Sequence, residues 1–351
     1  TSQLSKYAID QPLKGVETEE TYYELTENGK KYDGPMYAEY PEANSNRPGL
    51  VNGNYTDLLG NYATITAAVT DLNLRGVSGP VTFVLIDNGT YPGETYPIQF
   101  NNNISGISAT NTVTLKPQTG VSSIIPGNIN ANATIRILSN YVTIDGSNSG
   151  GTDRSLTIQN NSATTPNVVL VGSTGTTPIT NVVLKNCNIT NGANTSSAVV
   201  ISDATAIGSA GYFNTITVQN NLIEKAYMGL YATGGTTPAN GFNLVVADNS
   251  LTTSGANSIR LIGLYAQGTD GATFSNNTIS NIANTVDVNY LGGIWAASGC
   301  KNTTVSGNNI GTISSTASTS SYLNFGVFLS TGVLNGNYNV TGNTITNITA
   351  S

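Results

Sequence analysis

A six-residue pattern recurs between residues 158 and 345, and it restricts the chain to a coiled architecture. The pattern reads apolar residue, any residue, Asn, Asp or Gly, then Asn, any residue, and Ile or Leu. Its copies lie about 26 to 35 residues apart, and self-similarity on such a period is typical of a solenoid. The Asn positions, which we expect to stack at one turn of successive coils with Cys187 interrupting them in the second, are Asn161, Asn221, Asn249, Asn277, Asn308 and Asn343.

The composition favours strands and turns. The chain has 46 Asn and 38 Gly among 351 residues, and helix-forming residues are scarce after residue 50. Parallel pairing of coil on coil would satisfy the backbone along the axis, and a stacked Asn amide both donates and accepts hydrogen bonds. We therefore predict an all-β chain folded as a single-stranded right-handed parallel β-helix held by an Asn ladder.

Two regions of different composition divide the chain. Residues 1–55 are read as an extended N-terminal arm, because residues 1–50 hold 14 of the 33 charges and six of the 18 Tyr. An unstructured leader or linker is the alternative for this region. Residues 56–351 are read as the β-helix, and residues 64–75 as a helix that caps its N-terminal end, because Ile65, Ala68, Val69 and Leu72 fall on one helical face.

A second repeat predicts a line of aromatic side chains on the outer surface. In Gly-Leu-Tyr-Ala and its variants, the Leu and Ala positions are expected to point inward, which turns the residue between them outward. Three interpretations remain open: a flat platform for sugar rings, a docking site for the Tyr-rich arm, or stacking of the rings on one another. The four aromatic residues are Tyr231, Tyr265, Trp295 and Phe328.

The residues that usually carry catalysis are missing or scattered. There is no His, and the Asp residues of adjacent coils take different offsets from the recurring Asn, so no paired carboxylates are expected. The sequence thus predicts a protein without enzymatic activity or cofactor. Asp145 and Asp153 bound a loop of alternating oxygen-bearing residues, as in a calcium site, but the loop lacks a bidentate Glu. A structural Asx-turn loop is favoured there, and calcium is the lesser alternative.

The charge balance limits the partners. The formal net charge is −7 and the pI is about 4.5, which argues against nucleic acid and anionic membrane surfaces. No run of 18 or more apolar residues exists, so we expect no membrane insertion.

The repeat resembles that of secreted right-handed parallel β-helix proteins with pectate-lyase-like coils. Three further segments look like parts of large surface proteins of Bacteroidetes-type bacteria: Gly79-Pro-Val-Thr-Phe83, Ser108-Ala-Thr-Asn-Thr-Val113 and the stretch from Val142 to Ile158. The resemblance covers about residues 57–351. It implies the β-helix fold and an extracellular or cell-surface location.

The function expected from these features is structural or adhesive. We expect a secreted β-helix, with self-assembly into an extracellular fibre as one form of that role. The N-terminal arm or the open C-terminal coil would contact another copy, since the chain stops at Ser351 without an evident cap. The alternative is a β-helix that binds or degrades carbohydrate, with surface glycans as partners.

Overall fold

The computed structural model describes residues 53–56, 62–91, 93–236, 240–284, 290–315 and 323–350. The predicted arm therefore lies outside the described residues, apart from its last few. The boundary predicted at residues 55 and 56 falls inside the first strand, which runs Gly53–Thr56 and pairs with Val81–Leu85.

Three parallel sheets run along the molecule, and the chain visits them in turn. We number the strands in chain order and call the sheets A, B and C. Sheet A contains β1 (Gly53–Thr56), β2 (Val81–Leu85), β5 (Val113–Pro117), β8 (Val142–Asp145), β11 (Ile179–Lys185), β14 (Phe213–Gln219), β17 (Gly241–Ala247), β21 (Thr273–Ser275), β24 (Thr303–Ser306) and β27 (Tyr338–Thr341), with β20 (Thr269–Asp270) paired to β17.

Sheets B and C are built in the same way. Sheet B contains β3 (Gly89–Thr90), β6 (Ser123–Gly127), β9 (Leu156–Asn160), β12 (Cys187–Asn191), β15 (Leu222–Glu224), β18 (Ser250–Leu251), β22 (Thr278–Asn284), β25 (Asn309–Ser315) and β28 (Thr344–Ala350). Sheet C contains β4 (Ile98–Phe100), β7 (Ala133–Ile137), β10 (Asn167–Ser173), β13 (Val199–Asp203), β16 (Met228–Thr233), β19 (Ile262–Gln267), β23 (Leu291–Ala296) and β26 (Asn324–Leu329).

This arrangement confirms the predicted fold. The chain is a right-handed parallel β-helix of about eight windings with one short α-helix near its N-terminal end. Residues in register on neighbouring windings have the same orientation, so apolar columns fill the interior. One such column on sheet C runs through Ile135, Val169, Val199, Leu230, Leu264 and Ile294, all fully buried. In the last described winding the columns are open, and Val340 and Ile345 are 45% and 46% exposed.

The α-helix, α1 (Ile65–Arg75), covers the first strand of sheet C. In its first turn, the Ala67 N–H donates to the Thr64 hydroxyl, which caps the helix. As the sequence predicts, the buried residues are Ile65, Ala68, Val69 and Leu72. Asn73 donates from its side-chain amide to the Gln99 carbonyl at 2.7 Å and accepts from the Asn101 N–H at 2.9 Å. These bonds satisfy the edge of β4, which would otherwise present unpaired backbone groups.

The corner between sheets A and B explains the third position of the repeat. The residue there has a φ between +50° and +66°, the left-handed region that Asn, Asp and Gly tolerate best. A β-branched residue would be strained at this place in every winding. The residues concerned are Asn186, Asn220, Asp248, Asn276, Gly307 and Gly342.

The next residue at that corner is the ladder Asn, and its amide ties three windings together. The Asn277 Oδ1 accepts from both the backbone N–H and the Nδ2 of Asn249, at 3.0 Å each. The Asn277 Nδ2 donates to the Val246 carbonyl and to the Asn308 Oδ1, at 2.9 Å each. Every polar atom of this buried amide is therefore paired.

The same bonds repeat through five windings. Asn221, Asn249, Asn277, Asn308 and Asn343 form one continuous file, in which the Nδ2 to Oδ1 distances are 2.8 to 3.0 Å. The file begins at Cys187, whose backbone N–H donates to the Asn221 Oδ1 at 2.9 Å. Cys187 and Cys300 are both free and buried, and burial raises the pKa of each thiol.

The assignment of Asn161 to this ladder was wrong. Asn161 is exposed and follows β9 in sheet B. Ile158 is in register with Ile189 of the same sheet, whereas the first apolar residue of the repeat lies on sheet A, before the A–B corner. The residue of that winding in register with Cys187 is the buried Leu156. A loop of residues 146–155 separates β8 from Leu156, and this insertion shifted the alignment of the repeat.

The buried Asn in this segment is Asn160, which precedes Asn161. Its Oδ1 accepts from the N–H groups of Ile129 and Ser162, and its Nδ2 donates to the carbonyl of Asn167 at 2.7 Å. It is in register with the buried Asn191, so a separate Asn pair fills the corner between sheets B and C.

We predict that Asn277→Ala lowers the free energy of unfolding by about 3 kcal/mol or more. The change leaves the backbone N–H and Nδ2 of Asn249 and the Val246 carbonyl buried without these partners, and each such group costs about 1–3 kcal/mol. Urea unfolding followed by circular dichroism measures the loss. Asn309→Ala is the matched control, because Asn309 is an exposed Asn on β25 that directly follows Asn308 in the sequence. Equal losses in both variants would contradict the role of the file.

Candidate functional site: an aromatic face on sheet C

The four predicted aromatic residues form one column on the outer surface of sheet C. Tyr231 is in register with Tyr265, Tyr265 with Trp295, and Trp295 with Phe328, on β16, β19, β23 and β26. Their inward neighbours, such as Leu264 and Ala266, are fully buried. The sequence pattern therefore placed these residues on one outward column, although each is half-buried and not fully exposed.

The rings pack on one another along the axis. Tyr231 and Tyr265 are stacked, with centroids 5.1 Å apart and an interplanar angle of 10°. Tyr265 meets Trp295 edge to face at 5.3 Å, and Trp295 meets Phe328 at 5.4 Å with an angle of 35°. The stacked and edge-to-face geometries are favourable for aromatic pairs. The mutual contacts cover much of the ring surface between neighbouring windings.

Two further aromatic residues belong to this cluster, and sequence reasoning missed both. Tyr290 lies 5.2 Å from Trp295, and Phe325 lies 5.9 Å from Trp295 and 5.2 Å from Phe328, between ring centroids. Phe325 is in register with Gly292, and a Cβ built at Gly292 would lie 2.1 Å from the Phe325 ring. The available signal was the Gly-Gly pair that precedes Ile294. We call the six aromatic residues the aromatic face.

A loop of this chain covers the N-terminal continuation of the same column. On the two windings before Tyr231, the outward positions of this column are Val200 and Leu170, which are almost completely buried. Residues 204–211 lie over them, with Ile207 packed against the pair. The Tyr231 hydroxyl donates to the Gly208 carbonyl at 3.3 Å. The column is thus a surface against which a polypeptide segment already packs.

Two polar atoms of the aromatic face are paired with neutral side chains. The Tyr265 hydroxyl donates to the Gln267 Oε1 at 3.0 Å, and the Trp295 Nε1 donates to the Ser330 Oγ at 2.7 Å. Burial raises the pKa of Tyr231 and of Tyr265 above the ordinary tyrosine value. Both hydroxyls therefore stay neutral at physiological pH, and the face presents apolar surface without charge.

The loop considered for calcium is closed by its own hydrogen bonds. The Asp153 carboxylate accepts from the hydroxyls of Ser147, Ser149 and Ser155 and from the Asn148 N–H. Burial acts to raise the pKa of Asp153, but these bonds outweigh it and hold the pKa well below its usual range.

The other carboxylate of the loop, Asp145, is also engaged. It accepts from the Ser147 N–H and the Asn186 Nδ2, and it pairs with the Lys185 Nζ at 3.1 Å. Each carboxylate of this loop thus has protein donors. Over the described parts of the chain, no three Cys, Asp or Glu side chains gather in a way that could hold a metal ion. Within the same residues, no helix is long and apolar enough to span a bilayer.

The chain is similar to several solved structures at low sequence identity. No family model and no curated protein matches the sequence. Among solved structures, the pectin methylesterase of Aspergillus niger is similar over 85% of this chain and 92% of its own, with 12% identity and a TM-score of 0.38. The surface protein and adhesin PfbA of Streptococcus pneumoniae is similar over 82% and 93%, with 11% identity and a TM-score of 0.31.

These neighbours bear on two predictions made from the sequence: the absence of enzymatic activity and the resemblance to known β-helix proteins. The prediction of a protein without enzymatic activity is contradicted, because a pectin methylesterase is an enzyme that shares this fold. The prediction failed because missing His and unaligned carboxylates exclude particular mechanisms and do not exclude catalysis on this scaffold. Both neighbours are right-handed parallel β-helix proteins, as the sequence resemblance implied. No comparison supports the narrower resemblance to Bacteroidetes-type surface proteins.

We predict that Gly292→Ala destabilises the protein by about 1–3 kcal/mol, because the new methyl group displaces the Phe325 ring. A double-mutant cycle with Phe325→Ala, read by urea unfolding and by the emission of Trp295, measures the effect. Trp295 is the single Trp of the chain, so its emission reports on the aromatic face alone. In the Phe325→Ala background the cost of Gly292→Ala should largely disappear. Unchanged cost in that background would show that Phe325 is not what Gly292 accommodates.

Proposed function

We propose that this protein is an extracellular adhesive or structural β-helix, and that the aromatic face is where it binds a polypeptide partner. The observation that carries the proposal is the continuous, uncharged face of six aromatic residues on a rigid sheet. Contiguous apolar surface of this kind marks interaction sites, and aromatic residues are enriched in them. An extracellular location is supported by the sequence resemblance to secreted surface β-helix proteins.

The ring geometry favours a polypeptide over a sugar chain. A sugar ring binds by lying flat on an open aromatic face, whereas Tyr231 and Tyr265 are stacked on each other with only a 10° angle between them. The adjoining Leu170 and Val200 are covered by residues of the loop 204–211. We therefore expect the partner to pack as the loop 204–211 does, with apolar or aromatic side chains against the exposed ring edges.

The N-terminal arm of a neighbouring copy is the partner that fits best. It contributes six Tyr within 50 residues, at a density well above that of the rest of the chain. Its 52 residues before β1 would span at most about 170 Å when extended, which is ample for reaching a second molecule. Arm exchange between copies would make the β-helix a subunit of an extracellular assembly.

The test compares assembly of the full chain with three variants by light scattering. We expect the full chain to associate, and deletion of residues 1–50 or Trp295→Ala to shift it to the monomer. Phe242→Ala is the matched control, because Phe242 is a 39% exposed aromatic residue on sheet A, away from the aromatic face. This control should assemble as the wild type does.

Two results would contradict the proposal. One is assembly that persists unchanged after deletion of residues 1–50. The other is equal loss of assembly in Trp295→Ala and Phe242→Ala, since this would reflect general surface hydrophobicity and not the aromatic face.

A further inference from the structure

Arg136 lies in the same outward column of sheet C as the aromatic face, on an earlier winding. Arg136 is in register with Leu170, Leu170 with Val200, and Val200 with Tyr231. Three rises of ~4.8 Å, or about 14 Å, therefore separate the winding of Arg136 from that of Tyr231. The loop 204–211 lies over this interval, so a cation and an aromatic ring stand at its two ends.

The loop contacts the column through two hydrogen bonds and one side chain. The Arg136 Nη2 donates to the Ala204 carbonyl, and the Tyr231 hydroxyl donates to the Gly208 carbonyl at 3.3 Å. Between these bonds Ile207 packs against the two apolar residues of the column. Most of the other residues of the loop are exposed to solvent. The loop is therefore held on the column by few buried contacts.

The fold of the loop depends mainly on bonds within it. The Asp203 carboxylate accepts from the N–H groups of Thr205 and Ala206, at 2.7 and 2.9 Å. The Ser209 N–H donates to the Ala206 carbonyl at 2.8 Å, and the Asp203 N–H donates to the Ser209 carbonyl at 3.0 Å. These bonds do not involve the outward column, so the loop can leave the column without losing them.

The loop leaves the Arg136 guanidinium incompletely satisfied. The Arg136 Nε is buried and has no hydrogen-bond partner, and among the described residues no carboxylate pairs with this side chain. Burial without an opposing charge lowers the pKa of Arg136. A buried N–H without an acceptor costs free energy. A carboxylate that lies side-on to Nε and Nη2 would satisfy both groups and neutralise the charge, whereas the Ala204 carbonyl accepts from Nη2 alone.

Residues 16–27 of the N-terminal arm have the composition that this surface requires. They contain five Glu, two Tyr and no Lys or Arg. An extended chain advances about 3.3–3.6 Å per residue, so about 14 Å corresponds to roughly four residues. Glu19 and Tyr23 have this separation in the sequence. With the Glu19 carboxylate on Arg136, the Tyr23 ring would reach the winding of Tyr231.

We propose that residues 16–27 of a neighbouring copy displace the loop 204–211 and place a Glu carboxylate on Arg136. The inference rests on the proposed function and deepens it by naming the segment of the arm that docks. The loop occupies the site in the single molecule, and the acidic segment competes with it. Arg136 selects this segment, because the remainder of the column offers apolar contacts that do not discriminate by charge.

The test uses light scattering to measure the concentration at which the full chain assembles. Arg136→Gln removes the cation, and a second variant removes the carboxylates of the segment. Each should raise the assembly concentration about tenfold, as loss of a charge-assisted hydrogen bond implies, and their combination should raise it no further. The substitutions of the second variant are Glu17→Gln, Glu19→Gln, Glu20→Gln, Glu24→Gln and Glu27→Gln.

The controls separate this effect from general changes of charge and of folding. Lys116→Gln removes the same charge as Arg136→Gln, but from the outer face of sheet A, and it should assemble as the wild type does. The five Glu substitutions precede β1 in the sequence, so they keep the test valid if Arg136→Gln does not fold.

Competition with the loop is tested separately. Ile207→Ser weakens the packing of the loop on the column and should therefore lower the assembly concentration. Ala206→Ser, at an exposed position of the same loop, is the matched control and should leave it unchanged. In hydrogen exchange, the Gly208 N–H, which donates to the Ser202 Oγ at 3.1 Å, should exchange faster in the assembly than in the monomer.

Three outcomes overturn the proposal: unchanged assembly in both charge variants, an equal effect of Lys116→Gln, or a Gly208 N–H that exchanges no faster in the assembly. In each case, loss of assembly in Trp295→Ala would still support the aromatic face. Assembly that persists after deletion of residues 1–50, or a full chain that stays monomeric, would instead refute the proposed function itself.

Discussion

The amide-to-amide hydrogen bonds of the Asn file set the register on which the rest of the molecule depends. A parallel β-helix tolerates windings of unequal length only if some element pins each winding to the next. Here the Oδ1 of one Asn accepts both the backbone N–H and the Nδ2 of the Asn before it, so a slip of one residue would break several buried bonds at once. The left-handed residue before each Asn turns the chain at the same corner.

Because the register is fixed, side chains of successive windings line up and form continuous surfaces. Tyr231, Tyr265 and Trp295 occupy one column only because β16, β19 and β23 are aligned, although their windings differ in length. Loops leave the sheets at the corners and absorb the differences in length. Function on this scaffold is thus a matter of which side chains the aligned columns bring to the outside.

Periodic features could be predicted from the sequence, and features that depend on insertions or on packing could not. The fold, the capping helix and five ladder positions follow from spacing. Asn161 was misplaced because the loop of residues 146–155 interrupts the period. Phe325 joins the aromatic face only because Gly292 leaves room for its ring, and a spacing argument contains no such information.

Amide hydrogen exchange measured by NMR tests the central claim most directly. The backbone N–H groups of Asn221, Asn249, Asn277 and Asn308 each donate to the Oδ1 of the next Asn, so they should exchange at the slow limit set by global unfolding. The Ser209 N–H, which donates to the Ala206 carbonyl within a surface turn, should exchange much faster. If the four Asn amides exchange as fast as Ser209, the file does not hold the windings together and the account is wrong.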